Sequence, residues 1–484
     1  MKLKKLIKAL PEVVIKGARD LEITGICNQS KRVAPGNLFI AKKGRRSDGA
    51  GFIPDALSAG ASAILTDIYD PTLKGAVQII HPDVAFCEAK LAAAFFGDPS
   101  RELFTVGVTG TNGKTTVAHL VRQLLHAEGL LCGMIGTVGY IVGDQTYAAE
   151  HTTPDVVAGQ RLLRKMVQSG CKAAAMEVSS HALDQGRVEG IAFDAAVFTN
   201  LSPEHLDYHG TMERYAEAKG RLFKQKVGKA VVNADSSWHQ NILEGCQAEV
   251  FRYGIEAPAD LTAKEIRYGD SSTTFTLHYR GEQAPVATPF VGKHNVYNCL
   301  AAFGVSLSRG VGLKFLQEKA PALPQVPGRL ERVPNARGLK IFVDYAHTPD
   351  ALENVLGALK GLTSGRIIAV FGCGGDRDRE KRPKMAEAVE RAGAHAIVTS
   401  DNPRSENPEQ IIREVASGFS ASASFETEPD RREAIARAIS LAAPNDLILI
   451  AGKGHETRQI FAFRTVEFDD RKVAAEICGE PCCV

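Results

Sequence analysis

The 484 residues, 44% hydrophobic and 24% charged, have the make-up of a soluble globular chain long enough for about three domains, each with its own core. A net charge of +2 excludes a general pull toward nucleic acid or membrane, so any basic site must be local. No apolar run approaches the ~20 residues that span a bilayer, and the cysteines are scattered without paired spacing, which points to reduced thiols in a cytoplasm. Cys478, Cys482 and Cys483 cluster at the tail without an accompanying His, and a frayed end is expected there in preference to a metal site.

Met1-Lys-Leu-Lys-Lys-Leu-Ile-Lys8 has the basic start of an export signal, but Pro11 and Glu12 arrive before an apolar core can form. A short amphipathic helix is expected instead. The turn cluster Gly97-Asp-Pro-Ser100 closes the opening segment and sets a first domain of residues 1–98. The apolar run Leu103 to Val108 then reads as a strand that feeds Gly110-Thr111-Asn112-Gly113-Lys114-Thr115-Thr116, and Val117, Leu120, Val121, Leu124 and Leu125 give the next helix one buried stripe. This is the context of a phosphate loop. Glycines let backbone N–H groups close on the phosphates, the helix N-terminus adds positive potential, Lys114 reaches the β/γ oxygens and Thr115 holds Mg²⁺. One departure stands out, since the usual pattern has Gly five residues before Gly113 and Val108 occupies that place.

Farther on, Ala173-Ala-Ala-Met-Glu-Val-Ser-Ser-His181 is an apolar strand ending in a carboxylate, hydroxyls and an imidazole, where a phosphate-loop fold has its second metal ligand. Glu177 is the Mg²⁺ candidate. A second strand, Ala195 to Thr199, opens into Asn200-Leu-Ser-Pro-Glu-His-Leu-Asp-Tyr-His-Gly210, crowding His205, His209 and carboxylates that include Asp194. A break near Val326-Pro-Gly-Arg-Leu-Glu331 separates a central domain, 99–331, from a last one, 332–484. There the runs Leu339–Val343, Ile367–Phe371, Ala394–Thr399 and Asp446–Ala451 alternate with helical segments, which predicts a mostly parallel sheet with helices on both faces. Ligands of such sheets sit beyond the carboxyl ends of the strands. Asp344-Tyr-Ala-His-Thr-Pro-Asp350, Gly372-Cys-Gly-Gly-Asp-Arg377, Asp401-Asn-Pro-Arg404 and Gly452-Lys-Gly-His-Glu456 fall at those ends.

Six segments occur in the order found in Mur ligases: the phosphate loop, Thr152-Thr-Pro-Asp155, Glu177-Val-Ser-Ser-His181, His205-Leu-Asp-Tyr-His-Gly210, Lys293-His-Asn-Val-Tyr-Asn298 and Pro327-Gly-Arg-Leu-Glu331. From about residue 20 to about residue 470 the chain resembles that family, and within it the enzyme that adds the third amino acid in peptidoglycan precursor synthesis. The resemblance implies an α/β fold of three domains: an N-terminal uridine-nucleotide-binding domain, a central ATPase-like domain with the phosphate loop, and a C-terminal Rossmann-like domain. It implies that Lys114 and Thr115 hold ATP phosphates and Mg²⁺, that Glu177 and His205 occupy metal-site positions, and that Asn295, Arg329 and Asp344 contact the nucleotide. Lys219 matches a lysine that is carbamylated in the family, and near a metal a carbamate is a suitable anionic ligand. Thr152, Thr153, Ser179, Gln185 and Arg187 match positions that hold the muramoyl-peptide substrate, whose carboxylates and sugar oxygens suit their donors. In the opening domain, relatives commonly carry Asp-Ser-Arg where this chain has Gln29-Ser30-Lys31, so Ser30 keeps its contact to the uridine nucleotide while the acidic and guanidinium neighbours are replaced.

Asp401-Asn402-Pro403-Arg404 is the family's amino-acid-selecting segment, and its Arg resembles the meso-diaminopimelate-adding enzymes. The distal carboxylate of diaminopimelate suits a guanidinium fork that repels the lone ammonium of lysine. Arg377, Gly452 and Glu456 complete that pocket by the same resemblance. The reaction implied is attack of the D-glutamate γ-carboxylate of UDP-N-acetylmuramoyl-L-alanyl-D-glutamate on the ATP γ-phosphate, then attack of the diaminopimelate amine on the acyl phosphate. Closure of the C-terminal domain during turnover is expected. His347, His209 and His181 are unranked candidates for the general base. A cytoplasmic monomer without nucleic-acid or membrane partners is expected. The alternatives are a lysine-adding homologue, a folylpolyglutamate synthetase, a non-catalytic ATP-binding regulator, and an oxidoreductase argued from Gly372-Cys-Gly374, which lacks the rest of a dinucleotide fingerprint.

Overall fold

Alternation of apolar side chains sets the first layer of the structure. In the strand Asn37–Ile40, Leu38 and Ile40 join a core with Leu65 and Ile79, while Phe39 packs on the opposite face with Ile53, Ala56 and Ile64. A sheet filled on both faces must be covered on both faces. The computed structural model describes residues 1–44, 47–269 and 271–479, so Cys482 and Cys483 lie outside the described residues. It divides into two compact units, Met1–Arg252 with Gly304–Ser308, and Tyr253–Phe303 with the residues from Arg309 onward.

The first unit opens with a five-stranded sheet in the order Val14–Lys16, Val77–Ile80, Ala63–Thr66, Asn37–Ile40, Gly25–Cys27. All its pairings are parallel except the first. The expected amino-terminal helix forms as Leu3–Leu6 followed by a 3₁₀ turn, with Leu3 and Leu6 wholly buried in that core. The helix Val84–Phe96 covers the same face, capped by the Asp83 carboxylate, which accepts from Phe86 N, and stopped by Gly97 in the left-handed region.

The rest of the first unit is built on parallel strands in the order Lys229–Asn233, Ala195–Phe198, Phe104–Thr109, Ala173–Glu177, Cys132–Ile135, extended by the antiparallel strands Tyr140–Val142 and Gln145–Tyr147. The strand expected over Leu103–Val108 lies one residue later, and Val108 is a buried sheet residue paired with Glu177 and Val197. This explains the missing glycine, because the loop starts only at Gly110. All five residues of the expected apolar stripe on the helix Lys114–Ala127 are buried. Glu177 pairs with Val108 and Phe198 with Thr109, so three neighbouring strands end level and open one crevice at their carboxyl ends.

In the second unit, Leu261–Tyr268, Thr273–Tyr279 and Glu282–Thr288 form an antiparallel meander, with Thr273, Phe275 and Leu277 buried in alternation. The C-terminal sheet runs Glu331–Arg332, Lys340–Asp344, Leu447–Ala451, Ile367–Phe371, His395–Val398, Phe425–Thr427, parallel except at its first pair. Phe342 joins Leu356 and Met385 on one face, and Ile341 and Val343 join Ile435 and Ile439 on the other. Asp344 pairs with Ala451 and Phe371 with Val398, which brings the four polar loops out of one edge. Among the described residues no helix is long and apolar enough to cross a membrane.

Candidate active site

The phosphate loop is held open from below by the neighbouring strand. Gly110 has φ 150° and a Cβ there would lie 1.8 Å from Thr199 Oγ1, so only glycine fits. Thr111 N donates to Asn200 O (2.8 Å), Asn112 N to Asn200 Oδ1 (3.0 Å), and Thr199 Oγ1 to Asn112 O (2.6 Å). Gly113, left-handed at φ 85°, caps the helix that Lys114 begins, and Thr115 and Thr116 are buried in its first turn. Lys114 Nζ folds back on Gly110 O (2.9 Å) and Thr111 O (2.7 Å), a position from which it can turn toward a phosphate. Sequence reasoning did not single out Thr199 or supply a reason for Asn200. Their role depends on the sheet order, although a polar pair at a strand end was a usable signal.

Glu177 is wholly buried, and its carboxylate accepts from Thr115 Oγ1 (2.9 Å), Thr137 N (2.8 Å) and Thr137 Oγ1 (3.1 Å). These donors are neutral, which suits a carboxylate able to take on a cation. Thr137, missed in the sequence, also touches Thr152 Oγ1 at 3.0 Å. Thr153 Oγ1 donates to Glu177 O (2.8 Å), Ser179 N donates to Thr153 Oγ1 (3.1 Å), and Arg187 donates to Thr153 O (3.1 Å) and to Gln185 Oε1 (2.7 and 3.0 Å). The structure therefore brings Thr152, Thr153, Ser179, Gln185 and Arg187 into one polar wall beside Glu177. Ser30 opens a 3₁₀ turn in the first sheet's crossover, where Asn28 Nδ2 donates to the buried Glu88 carboxylate (2.9 Å) and Lys42 pairs with the same group.

Lys219 is 1% exposed and donates to Gly110 O at 2.7 Å, with its amine 4.5 Å from the Tyr215 ring centre. Burial, and secondly the neighbouring Lys114 charge, push this amine well below the usual lysine range, against the opposing pull of Glu204. His205 sits in the left-handed region (φ 56°), 3.8 Å from the Glu204 carboxylate and with its ring 4.7 Å from that of His181. Burial first, then the charges of His205 and His209, lower His181 to about 4, so it is neutral near pH 7. His209 Nε2 lies 3.0 Å from Ser180 Oγ. Among the described residues no group of three His, Cys, Asp or Glu side chains is arranged to hold a metal ion. Of the metal candidates, Thr115 is hydrogen-bonded to Glu177, while His205 and Lys219 both approach Tyr215, whose ring centre lies 6.4 Å from that of His205 and 4.5 Å from the Lys219 amine.

In the second unit, Asn295 Nδ2 donates to Val291 O (2.9 Å) and its Oδ1 accepts from Asn298 (3.0 Å). The Arg329 guanidinium lies 4.9 Å over the Tyr345 ring, a flat platform that sequence reasoning missed. Asp344 is buried, accepts from Leu330 N and Ala346 N (both 2.7 Å), and is raised by burial. His347 Nδ1 lies 2.8 Å from Tyr345 O and is lowered by burial first and Lys381 second.

The Asp401–Arg404 segment is stitched to the strand Arg458–Ile460. Arg404 N donates to Ile460 O (3.0 Å), Ile460 N to Asn402 Oδ1 (3.0 Å), and Gln459 Nε2 to Asp401 O (2.9 Å). Arg404 has φ 54°, and its Nη1 donates to Gly375 O (2.8 Å) and Asn402 O (3.4 Å). Asn402 Nδ2 in turn donates to Glu456 Oε2 at 2.7 Å. One asparagine thus links a guanidinium and a carboxylate. A Cβ on Gly452 would lie 2.4 Å from Asp401 Oδ2, and one on Gly375 would lie 1.9 Å from Pro403 O, so the loops interlock. Arg377 is exposed on the adjoining loop, donating to Asp376 O at 3.0 Å.

The chain matches three family profiles: "Mur ligase family, catalytic domain" over residues 22–95, "Mur ligase middle domain" over 108–306, and "Mur ligase, glutamate ligase domain" over 328–454. A relative from Chlamydia caviae, named UDP-N-acetylmuramoyl-L-alanyl-D-glutamate--2,6-diaminopimelate ligase, is 44% identical over 482 residues, covering 99% of each chain. A solved structure titled as that same ligase aligns with a TM-score of 0.72 at 33% identity over 98% of each chain. Folylpolyglutamate synthase of Mycobacterium tuberculosis, solved with ADP and AMPPCP, shares the fold at a TM-score of 0.62 and 20% identity, over 76% of this chain and 92% of that one.

Proposed function

The chain belongs to the Mur ligase family, and from that premise we propose how it works as an ATP-dependent amide ligase of peptidoglycan precursor synthesis. It joins meso-2,6-diaminopimelate to the D-glutamate γ-carboxylate of UDP-N-acetylmuramoyl-L-alanyl-D-glutamate. The observation that carries the amino-acid assignment is the pair of opposite charges tied to Asn402: the Arg404 guanidinium suits a distal carboxylate and Glu456 suits the ammonium beside it. L-lysine offers only the ammonium and leaves Arg404 uncompensated.

The γ-carboxylate attacks the ATP γ-phosphorus, and the bond to the β-γ bridging oxygen breaks, giving ADP and an acyl phosphate. Lys114 and the loop amides offset charge on the transferred group. The amine of diaminopimelate, having lost its proton, attacks the acyl carbon, and the intermediate collapses to an amide and inorganic phosphate. Asn295, Arg329 and Asp344 stand at nucleotide-contacting positions of the family, with Tyr345 lying under Arg329. Thr152, Thr153, Ser179, Gln185 and Arg187 hold the muramoyl peptide, and Ser30 its uridine end. Thr115, Glu177, His205 and Lys219 would hold Mg²⁺, which when bound would supply positive charge at the phosphate oxygens. The fit of Lys219 to this role rests on its burial and lowered basicity: a neutral amine adds CO₂ and releases a proton, leaving a carbamate whose oxygens suit a hard cation.

The test is phosphate release from ATP, Mg²⁺ and the nucleotide-peptide, with meso-diaminopimelate and L-lysine in parallel. Turnover with diaminopimelate alone is expected, and Arg404→Ala should lower kcat/KM for it by about 100-fold, as expected for loss of a charge-assisted bidentate contact. Equal use of lysine by the native protein would overturn the assignment.

A further inference from the structure

Within Gly452-Lys-Gly-His-Glu456, Lys453 is 0% exposed, an unusual place for an ammonium. Its Nζ donates to Arg458 O (2.5 Å), Glu456 Oε2 (3.2 Å) and Asn402 Oδ1 (3.3 Å), which matches three protons to three acceptors, two farther along its own stretch and one on the Asp401–Arg404 segment. Asn402 closes the figure by donating from Nδ2 to the same Glu456 Oε2 at 2.7 Å, while its Oδ1 also accepts from Ile460 N at 3.0 Å.

The arrangement fixes two orientations. Asn402 cannot turn its amide over, because Oδ1 faces two donors and Nδ2 faces an acceptor. Glu456 receives both donors on Oε2, which leaves Oε1 without a hydrogen-bond donor among the described residues on a side chain that is 31% exposed. A buried ion pair is poor evidence for stability, since an apolar side chain of equal volume often serves as well. What a cation does here, and an apolar chain cannot, is hold a carboxylate and an amide in register.

We propose that Lys453 is a positioning residue for the incoming amino acid, acting through Asn402 and Glu456 to present Glu456 Oε1 to the substrate's ammonium. The proposal rests on the reading that Asn402, Arg404 and Glu456 receive diaminopimelate.

The experiment is steady-state kinetics on the full chain, varying diaminopimelate, ATP and the nucleotide-peptide in turn, for the native protein, Lys453→Met, Glu456→Gln and the double variant. Lys453→Met is expected to raise KM for diaminopimelate about tenfold or more while KM for ATP and the nucleotide-peptide stays within about twofold. In the Glu456→Gln background the same substitution should change that KM by less than about twofold, since the residue acts through the group already removed. An unchanged diaminopimelate KM, a parallel rise in all three KM values, or full additivity in the double variant would each make Lys453 a structural strut and overturn the proposal. If Lys453→Met loses its cooperative melt, Lys453→Gln, which keeps a donor in the same space, is judged by the same criteria. A native protein that turns over only with another amino acid sinks the substrate reading and this proposal together, whereas native turnover with diaminopimelate and an unaffected variant sinks the proposal alone.

Discussion

His181 shows how a single residue's surroundings become a solution property. Burial, then the charges of His205 and His209, hold its imidazole at about 4, below the usual ~6.5. Between those values the unfolded chain carries a proton that the folded chain refuses. Stability therefore rises with pH across that window and is lost as pH falls through it. His205, lowered by burial as its first cause, contributes in the same direction. His181→Gln should flatten, without abolishing, the slope of melting temperature between about pH 4.5 and pH 6.5. A slope identical to the native one would show that His181 does not carry it. None of this was legible in the sequence, where His181 is one of several imidazoles near polar residues. The placement of Lys114, by contrast, was legible, because a loop glycine followed by a lysine and a hydroxyl predicts the loop-to-helix junction at which Gly113 and Lys114 stand.

At the scale of elements, the strands and helices that carry the site were read to within a residue or so. Ile367–Phe371 was expected and forms as such, while Leu339–Val343, Ala394–Thr399 and Asp446–Ala451 form as Lys340–Asp344, His395–Val398 and Leu447–Ala451. What the sequence did not reveal is how their ends are fastened. Arg431, 1% exposed at the start of a helix, makes a two-pronged pair with Asp470 (2.7 and 2.8 Å) on the last helix and also donates to Ala451 O at 2.9 Å and Ser400 O at 3.4 Å. Ala451 precedes Gly452 and Ser400 precedes Asp401, so this one guanidinium braces both strand ends that lead into the proposed amino-acid pocket. Asp470→Ala strands a buried cation and should lower the unfolding free energy by about 3–5 kcal/mol, measured by denaturant titration. A loss below about 1 kcal/mol would mean that the pair contributes little beyond neutral packing.

For the whole molecule, the glycine loop and the carboxylate Glu177 belong to one compact unit, and Asn402, Arg404 and Glu456, proposed to receive the amino acid, belong to the other. The C-terminal sheet has an apolar core on each face, drawn almost entirely from residues after Leu330. Residues 332–484 expressed alone should therefore melt cooperatively yet release no phosphate, because the loop proposed to grip ATP is on the other unit; circular dichroism with the phosphate assay checks both halves of that statement. A fragment with no cooperative melt would show that this domain leans on the rest of the chain for its fold. The boundary at residue 331 is itself a proposal that the fragment's behaviour tests.

The sequence by itself determined what is local. Glycine placement marks the loop Gly110–Thr116, apolar periodicity defines its helix and the parallel strands, and the family resemblance points to Asp401-Asn-Pro-Arg404 as the proposed selecting segment, because each signal spans a few consecutive residues. Tertiary structure alone decided which distant residues complete those signals. Thr199 and Asn200 seat the loop, Thr137 and Thr115 share Glu177, Tyr345 lies under Arg329, and Lys453 joins Asn402 to Glu456. The physical reason is that strand order and register set these neighbours, and both are settled by how sheets bury their two faces over the whole chain.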